Sequence, residues 1–275
     1  MYFIYGRKKL MKKRAMAAVS AVMCASMVLS ACGSSASTST TAAPAETKAA
    51  EETKAEETTA AAASGDVVTI NIGFENTTEE PIGQAVEKWA ELLKEESNGT
   101  MELKVFANSA LGNKSKLIDQ MVMGENVITI ADGAFYADYG VPDLGILYGP
   151  FFFDNWDEVW KLIDSDWYKE QCSKLADKGL TVLGSNWVYG ERELMTKDKA
   201  VVPADIKGKK IRLANSQIYV EGFNALGATA VPMALGDVYT ALQNGTLDGV
   251  ENPLSTLYGQ SFQEVTKNIL MTGHI

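Results

Sequence analysis

Two arginines and one asparagine carry most of the chemistry that this sequence offers. In residues 209–217, KKIRLANSQ, Arg212 stands where an apparent β-strand hands over to a helix. Alternation puts Ile211 and Leu213 on one face of that strand and Lys210 and Arg212 on the other. The pattern leaves two readings of Arg212 open, a solvated side chain or one that waits for an anion. A second guanidinium, Arg192 in NWVYGERELMT, follows a glycine where the chain leaves its first half. Two guanidiniums converging on a cleft would hold a carboxylate through paired, charge-assisted hydrogen bonds. Burying an arginine without a counter-charge is costly, so an empty cleft of this kind should be open and wet. The third residue is Asn252 in VENPLSTLYG. A residue before proline avoids helical geometry and proline favours the first helical position, which makes Asn252 a helix N-cap candidate; its amide could instead face a ligand.

Enzyme signatures are weak. His274 is the only histidine and stands second from the end of the sequence, which leaves no histidine-based triad or multi-histidine metal site. No GxSxG, P-loop or dinucleotide fingerprint occurs, and no cofactor is implied. The 35 acidic residues offer many carboxylate pairs, and nothing selects one of them for a surface glycoside hydrolase.

The elements that must position these residues begin near Val67 and fall into two halves with one plan. In the first, VVTINIGF, MELKVF and NVITIAD read as strands, separated by helices that start at Pro81 and Lys116 and close at Asn98-Gly99 and Gly124. In the second, KKIRLANS, ATAVPM and TLDGVEN are strands, with intervening helices closed by Gly227 and Gly245. Strands alternating with helices imply mainly parallel sheets covered by helices, and ligands in such sheets bind beyond the carboxyl ends of the strands. Those ends fall near Glu75 and Asp132 in the first half and near Arg212 and Asn252 in the second. Two lobes facing each other through them make the cleft of a protein that closes around a solute. Trp89, Trp156 and Trp160 fall at helical spacing and read as core, as does the GPFFFDN cluster. Trp187, Tyr189 and Tyr258 read as cleft walls.

The N-terminal part is of another kind. Six basic residues (Arg7, Lys8, Lys9, Lys12, Lys13, Arg14) precede an uncharged, mostly apolar run over residues 15–30, the pattern of a signal peptide, with Met11 as an alternative start. Leu29-Ser30-Ala31-Cys32 resembles the lipobox of bacterial lipoproteins, so residues 1–31 read as the leader and Cys32 as the site of a lipid anchor that holds the protein on a membrane without spanning it. Residues 32–65 lack aromatic and large aliphatic side chains and read as a disordered tether. Removing the leader takes six positive and no negative charges, moving the formal charge from −10 to −16, which argues against nucleic acid as a partner. Of the three cysteines only Cys172 then remains in the folded part, read as a small buried hydrophobe.

The segment ADIKGKKIRLANSQIYVEGFNALGATAVPMALGDVYTALQNGTLDGVENPLSTLYGQSFQEV, with INIGF, AVEKWAELLKEESNG, KVFANSALG and YGERELMT before it, resembles the solute-binding subunit of tripartite ATP-independent periplasmic (TRAP) transporters, of the DctP type. The resemblance covers residues 67–275. It implies a two-lobed α/β fold like that of class II periplasmic binding proteins, with a hinge, lobe I over residues 66–189 and lobe II over 190–275. It also implies an extracytoplasmic receptor that delivers an organic acid to membrane permease subunits. Arg212 would grip the ligand carboxylate, Arg192 and Asn252 would line the pocket, and Glu75 and Asp132 would add acceptors for hydroxyls. A sugar acid and a C4-dicarboxylate remain open as ligands, since Leu235, Val250 and Tyr189 depart from common family residues. A receptor feeding a sensor kinase would have the same pocket. Such proteins usually run several dozen residues beyond the TGHI segment, so the resemblance implies C-terminal truncation and a first lobe short of one strand.

Overall fold

A computed structural model describes residues 66–275 and, as backbone, residues 2–6. The chain divides into two units, Met1–Lys9 with Ala62–Ile275, and Leu10–Ala61; every described residue belongs to the first. The rest of the leader, the Cys32 anchor and the tether up to residue 65 lie outside the described residues.

The described chain builds two five-stranded sheets. The first contains β1 (Tyr2–Gly6), β2 (Val68–Gly73), β3 (Met101–Phe106), β4 (Val127–Ala131) and β5 (Leu180–Gly184), in the order β3-β2-β4-β1-β5. The second contains β6 (Arg192–Thr196), β7 (Lys210–Leu213), β8 (Thr229–Pro232), β9 (Gly249–Pro253) and β10 (Asn268–Leu270), in the order β10-β6-β9-β7-β8. The common plan read from the sequence is present in the pairing. In each sheet the first strand of the trio lies between the other two and runs parallel to both, β2 between β3 and β4, β7 between β8 and β9. Each sheet then continues through one antiparallel strand, β1 in the first and β6 in the second. The expected gap in the first sheet is therefore not seen: Tyr2–Gly6, which the leader reading assigns to a removed segment, pairs with both β4 and β5.

Helices cover the sheets. In the first lobe they are α1 (Pro81–Glu96), α2 (Lys114–Val122), α3 (Gly133–Ala137), α4 (Trp156–Ile163) and α5 (Asp166–Asp177); in the second, α6 (Gln217–Ala225), α7 (Val238–Gln243) and α8 (Leu254–Gly259). Pro81 sits in the first turn of α1, where its missing N–H costs nothing, and Ile82 and Val86 pack inward. Gly124 and Gly245, at φ of 82° and 83°, close α2 and α7 in a conformation that a Cβ would disfavour. Leu117, Ile118 and Met121 of α2 and Tyr219 and Phe223 of α6 belong to one buried cluster with Ile211 and Leu213 of β7. That packing fixes where β7 ends, and hence where Arg212 stands.

The aromatic readings are partly overturned. Trp89 packs edge-on to Trp187 at 6.4 Å between ring centroids. Trp156 and Trp160 stack on each other, but no residue of α4 is fully buried, and Phe151 and Phe152 are exposed. Helical spacing marks a shared face, and here that face lines a cavity instead of entering the core. Tyr258 is 75% exposed and lines neither that cavity nor the one around Arg212.

Candidate functional site

Arg212 is buried, with 3% of its surface exposed. Its Nε and Nη2 donate to the Met233 carbonyl at 2.9 and 2.6 Å. That carbonyl lies one residue past β8, and the β7–β8 register, Leu213 beside Pro232, carries it to the guanidinium. Among the described residues Arg212 has no ion-pair partner, and burial pushes its pKa below the ordinary value. The cleft around it is shut, against the sequence expectation of an open, wet one. Arg212, Glu75, Lys114, Phe135, Asn215 and Met233 line a cavity of about 10 Å³, no larger than a water site. A space of that size does not hold an organic acid.

Arg192 is placed differently. It begins β6, and the antiparallel register of β6 with β9 sets Leu194 opposite Glu251 and Arg192 opposite Pro253. Its Nε and Nη2 donate to the two oxygens of Glu251 at 2.5 and 2.8 Å, and both residues are almost fully buried. The His274 Nε2 lies 3.3 Å from the same carboxylate, while its Nδ1 lies 2.7 Å from the Thr272 hydroxyl. Burial alone would raise the Glu251 pKa, but Arg192 and His274 outweigh it and hold it near 2. For Arg192 burial works downward, and the Glu251 charge more than reverses it, so its pKa is raised. The guanidinium also lies over the Tyr219 ring at 4.9 Å, and the Tyr219 hydroxyl donates to Asp132 Oδ2 at 3.2 Å.

The five residues singled out from the sequence are thus divided. Glu75 and Arg212 line one small cavity. Arg192 and Asp132 line another of about 320 Å³, walled by Trp156, Trp160, Trp187 and Tyr189. The two arginines do not converge on a shared free space, since the carboxylate that Arg192 grips is the protein's own. Asp132 uses Oδ1 to accept from the Ala134 N–H and cap α3. Asn252 is 4% exposed and lies within β9; α8 starts at Leu254 with Pro253 at its cap, so the N-cap reading of Asn252 does not hold. Its Oδ1 is buried without a hydrogen-bond donor among the described residues.

Several groups at the site escaped the sequence reading. Lys114 opens α2 directly after its cap Asn113 and reaches the Arg212 cavity, yet in sequence it is one of many lysines on a polar helix face. Glu251 sits beside the asparagine that drew attention. Glu80 is 2% exposed and joins the two lobes. Its oxygens accept from Asn76 and the Thr77 N–H on its own side, at 2.7 and 3.0 Å, and from Thr256 and Gln260 on the other, both at 2.8 Å. The Tyr189 hydroxyl joins the same group, 2.5 Å from Thr256 Oγ1 and accepting from Asn76 at 3.0 Å, and burial raises its pKa to about 12. Among the described residues no group of three metal-ligating side chains forms, and no helix is long and apolar enough to cross a membrane.

Comparison with known proteins gives consistent matches. The model of bacterial extracellular solute-binding protein, family 7, matches residues 72–275. A solute-binding protein of Verminephrobacter eiseniae is 29% identical over 218 residues, 78% of this chain and 64% of that protein. The 2,3-diketo-L-gulonate-binding periplasmic protein of Escherichia coli is 32% identical over 75% of this chain and 62% of its own length. For the C4-dicarboxylate-binding periplasmic protein of Rhodobacter capsulatus the figures are 30%, 70% and 58%. The chain therefore spans 58 to 64% of the length of these curated relatives. Among solved structures, a TRAP periplasmic solute-binding protein from Ochrobacterium anthropi with bound L-fuconate superposes at a TM-score of 0.74, with 41% identity over 76% of this chain and 69% of that one. One from Actinobacillus succinogenes with bound L-galactonate gives 0.73, with 38% identity over 75% and 68%.

Proposed function

This chain belongs to family 7 of the bacterial extracellular solute-binding proteins, the DctP family, and from that premise we propose that it captures an organic acid between its two lobes and delivers it to the membrane permease of a TRAP transporter. The observation that carries the reading is Arg212: a buried guanidinium at the carboxyl end of a central strand, between the lobes, with no ion-pair partner among the described residues. Such a group has a carbonyl acceptor but no counter-charge in contact with it, and a carboxylate supplies both the charge and two parallel acceptors. Closure then removes water from the pair and strengthens it.

The remaining parts follow the same reading. Arg192 is held by Glu251 and lines the neighbouring larger cavity, and Asn252 offers a buried carbonyl oxygen to a ligand donor. The leader pattern and the Cys32 lipobox support secretion followed by lipid anchoring, which would keep the receptor beside its permease. The protein acts by binding and release, without turnover.

Calorimetry with a panel of carboxylic acids tests this. At least one acid should bind, and Arg212→Ala should weaken it about 100-fold or more, the loss of two charge-assisted hydrogen bonds. Unchanged affinity in that variant would overturn the assignment.

A further inference from the structure

The Arg212 cavity carries a charge balance that selects among organic acids. Three ionisable side chains line it: the cations Arg212 and Lys114, and the carboxylate Glu75. The formal excess is one positive charge. Arg192 adds nothing to it, since Glu251 neutralises that guanidinium at 2.5 and 2.8 Å.

Lys114 and Glu75 are both largely sequestered, with 12% and 8% of their side-chain surface exposed, but they are not in hydrogen-bond contact. The Lys114 Nζ stands 3.9 Å from Glu75 Oε2 and 4.8 Å from the centre of the Phe135 ring. Among the described residues neither the ammonium nor the carboxylate makes a hydrogen bond to the protein. An ammonium is a donor only and an ionised carboxylate an acceptor only. A ligand hydroxyl is both, and fits such a pair by donating to Glu75 and accepting from Lys114.

We infer that the cleft takes a singly charged polyhydroxy acid, its one carboxylate on Arg212 and its hydroxyls between Lys114 and Glu75, and that Glu75 excludes dicarboxylates. This rests on the reading of Arg212 as the carboxylate anchor. A monoanion brings the lining to neutrality on closing. A dianion leaves it with one uncompensated negative charge and sets its second carboxylate against Glu75, where little water remains to screen the repulsion. Glu75 therefore acts as a specificity residue through the repulsion it adds against the wrong ligand. Lys114 supplies a donor and keeps Glu75 from making the whole lining neutral.

The test uses the full chain and matched pairs of acids, a set of stereoisomeric six-carbon aldonates, their aldarates, and succinate, with affinities from calorimetry and folding followed by thermal melts. The best aldonate should bind at least about 10-fold more tightly than its aldarate or succinate. Glu75→Gln should shift that ratio toward the dianion by at least about 10-fold, and Lys114→Gln should weaken the aldonate by a similar factor. Tighter binding of any dicarboxylate than of every aldonate by the unaltered protein, or a ratio unmoved in Glu75→Gln, overturns the inference. In the first case a dicarboxylate that still depends on Arg212 leaves the receptor reading intact. If no acid binds at all, both fall.

Discussion

Arg192 and Glu251 form a buried two-point ion pair across neighbouring antiparallel strands, and His274 touches the same carboxylate. Arg212, two strands further along the same sheet, is equally buried and has no such partner. One sheet thus holds an arginine paired to a carboxylate of the chain and another without such a pair, and the two should respond to mutation in different ways.

Arg192→Ala takes the two-point cation away from the buried Glu251 carboxylate and leaves it with His274 as its one side-chain partner among the described residues, which should cost about 3–5 kcal/mol of stability in urea denaturation. Arg212→Ala removes a desolvated cation held by one carbonyl, with a carboxylate lining the same cavity but not paired to it, so its stability loss should be clearly smaller than that of Arg192→Ala while binding is lost. Equal stability losses in the two variants would contradict this division.

Acid should weaken the fold through Glu251. Its folded pKa, near 2, lies below the ordinary 4.5. The carboxylate therefore contributes stability that is fully present above about pH 4.5 and lost as pH falls toward 2. Denaturation midpoints measured from pH 7 to 2 should decline over that window, and the decline should be shallower in Glu251→Gln. An identical acid limb in both proteins would assign the pH dependence to other carboxylates.

Thr256→Val removes the hydroxyl that Glu80, Asn76 and Tyr189 share at the lobe junction. The contact forms between lobes, so its loss should appear as weaker ligand affinity, by about 1–3 kcal/mol for a buried acceptor deprived of a donor. Small-angle scattering should show a more open ligand-free form. A variant with unaltered affinity would remove Glu80 from any part in closure.

Gly83→Ala should destabilise the first lobe by about 1–3 kcal/mol, the usual range for overpacking. A Cβ there would stand 2.1 Å from the Thr77 carbonyl oxygen and 2.6 Å from the Thr78 Cα, both backbone atoms with little room to yield. Because the Thr77 N–H donates to Glu80, the same shift should also weaken the interlobe contact. A melting temperature equal to that of the unaltered protein would show that the first turn of α1 relaxes freely.

Local pattern explains what could be read in advance. Apolar alternation in VTINIG and MELKVF, proline at the start of α1 and glycine after α2 and α7 each specify backbone geometry within a few residues, and each is found where the pattern put it. The spacing of Trp156 and Trp160 was equally clear but ambiguous, because a common helix face meets either a core or a cavity. Lys114 carried one usable sign, its place directly after the N-cap Asn113 beyond the end of β3. Nothing local told it apart from the solvated lysines elsewhere.

Residue order alone specifies the two-lobed alternation of strands and helices, the family, and the place of Arg212 at the end of a strand. Tertiary structure decided that Arg192 meets a carboxylate of the chain and that Arg212, among the described residues, meets a backbone carbonyl instead. Arg192 and Glu251 are 59 residues apart in the chain and touch only because β6 and β9 pair in one register. Glu80 and Thr256, 176 residues apart, touch across the junction of the two lobes. Periodicity records how a residue faces its own element; register and lobe closure are set by packing summed over the whole molecule, and no short stretch of sequence contains that sum.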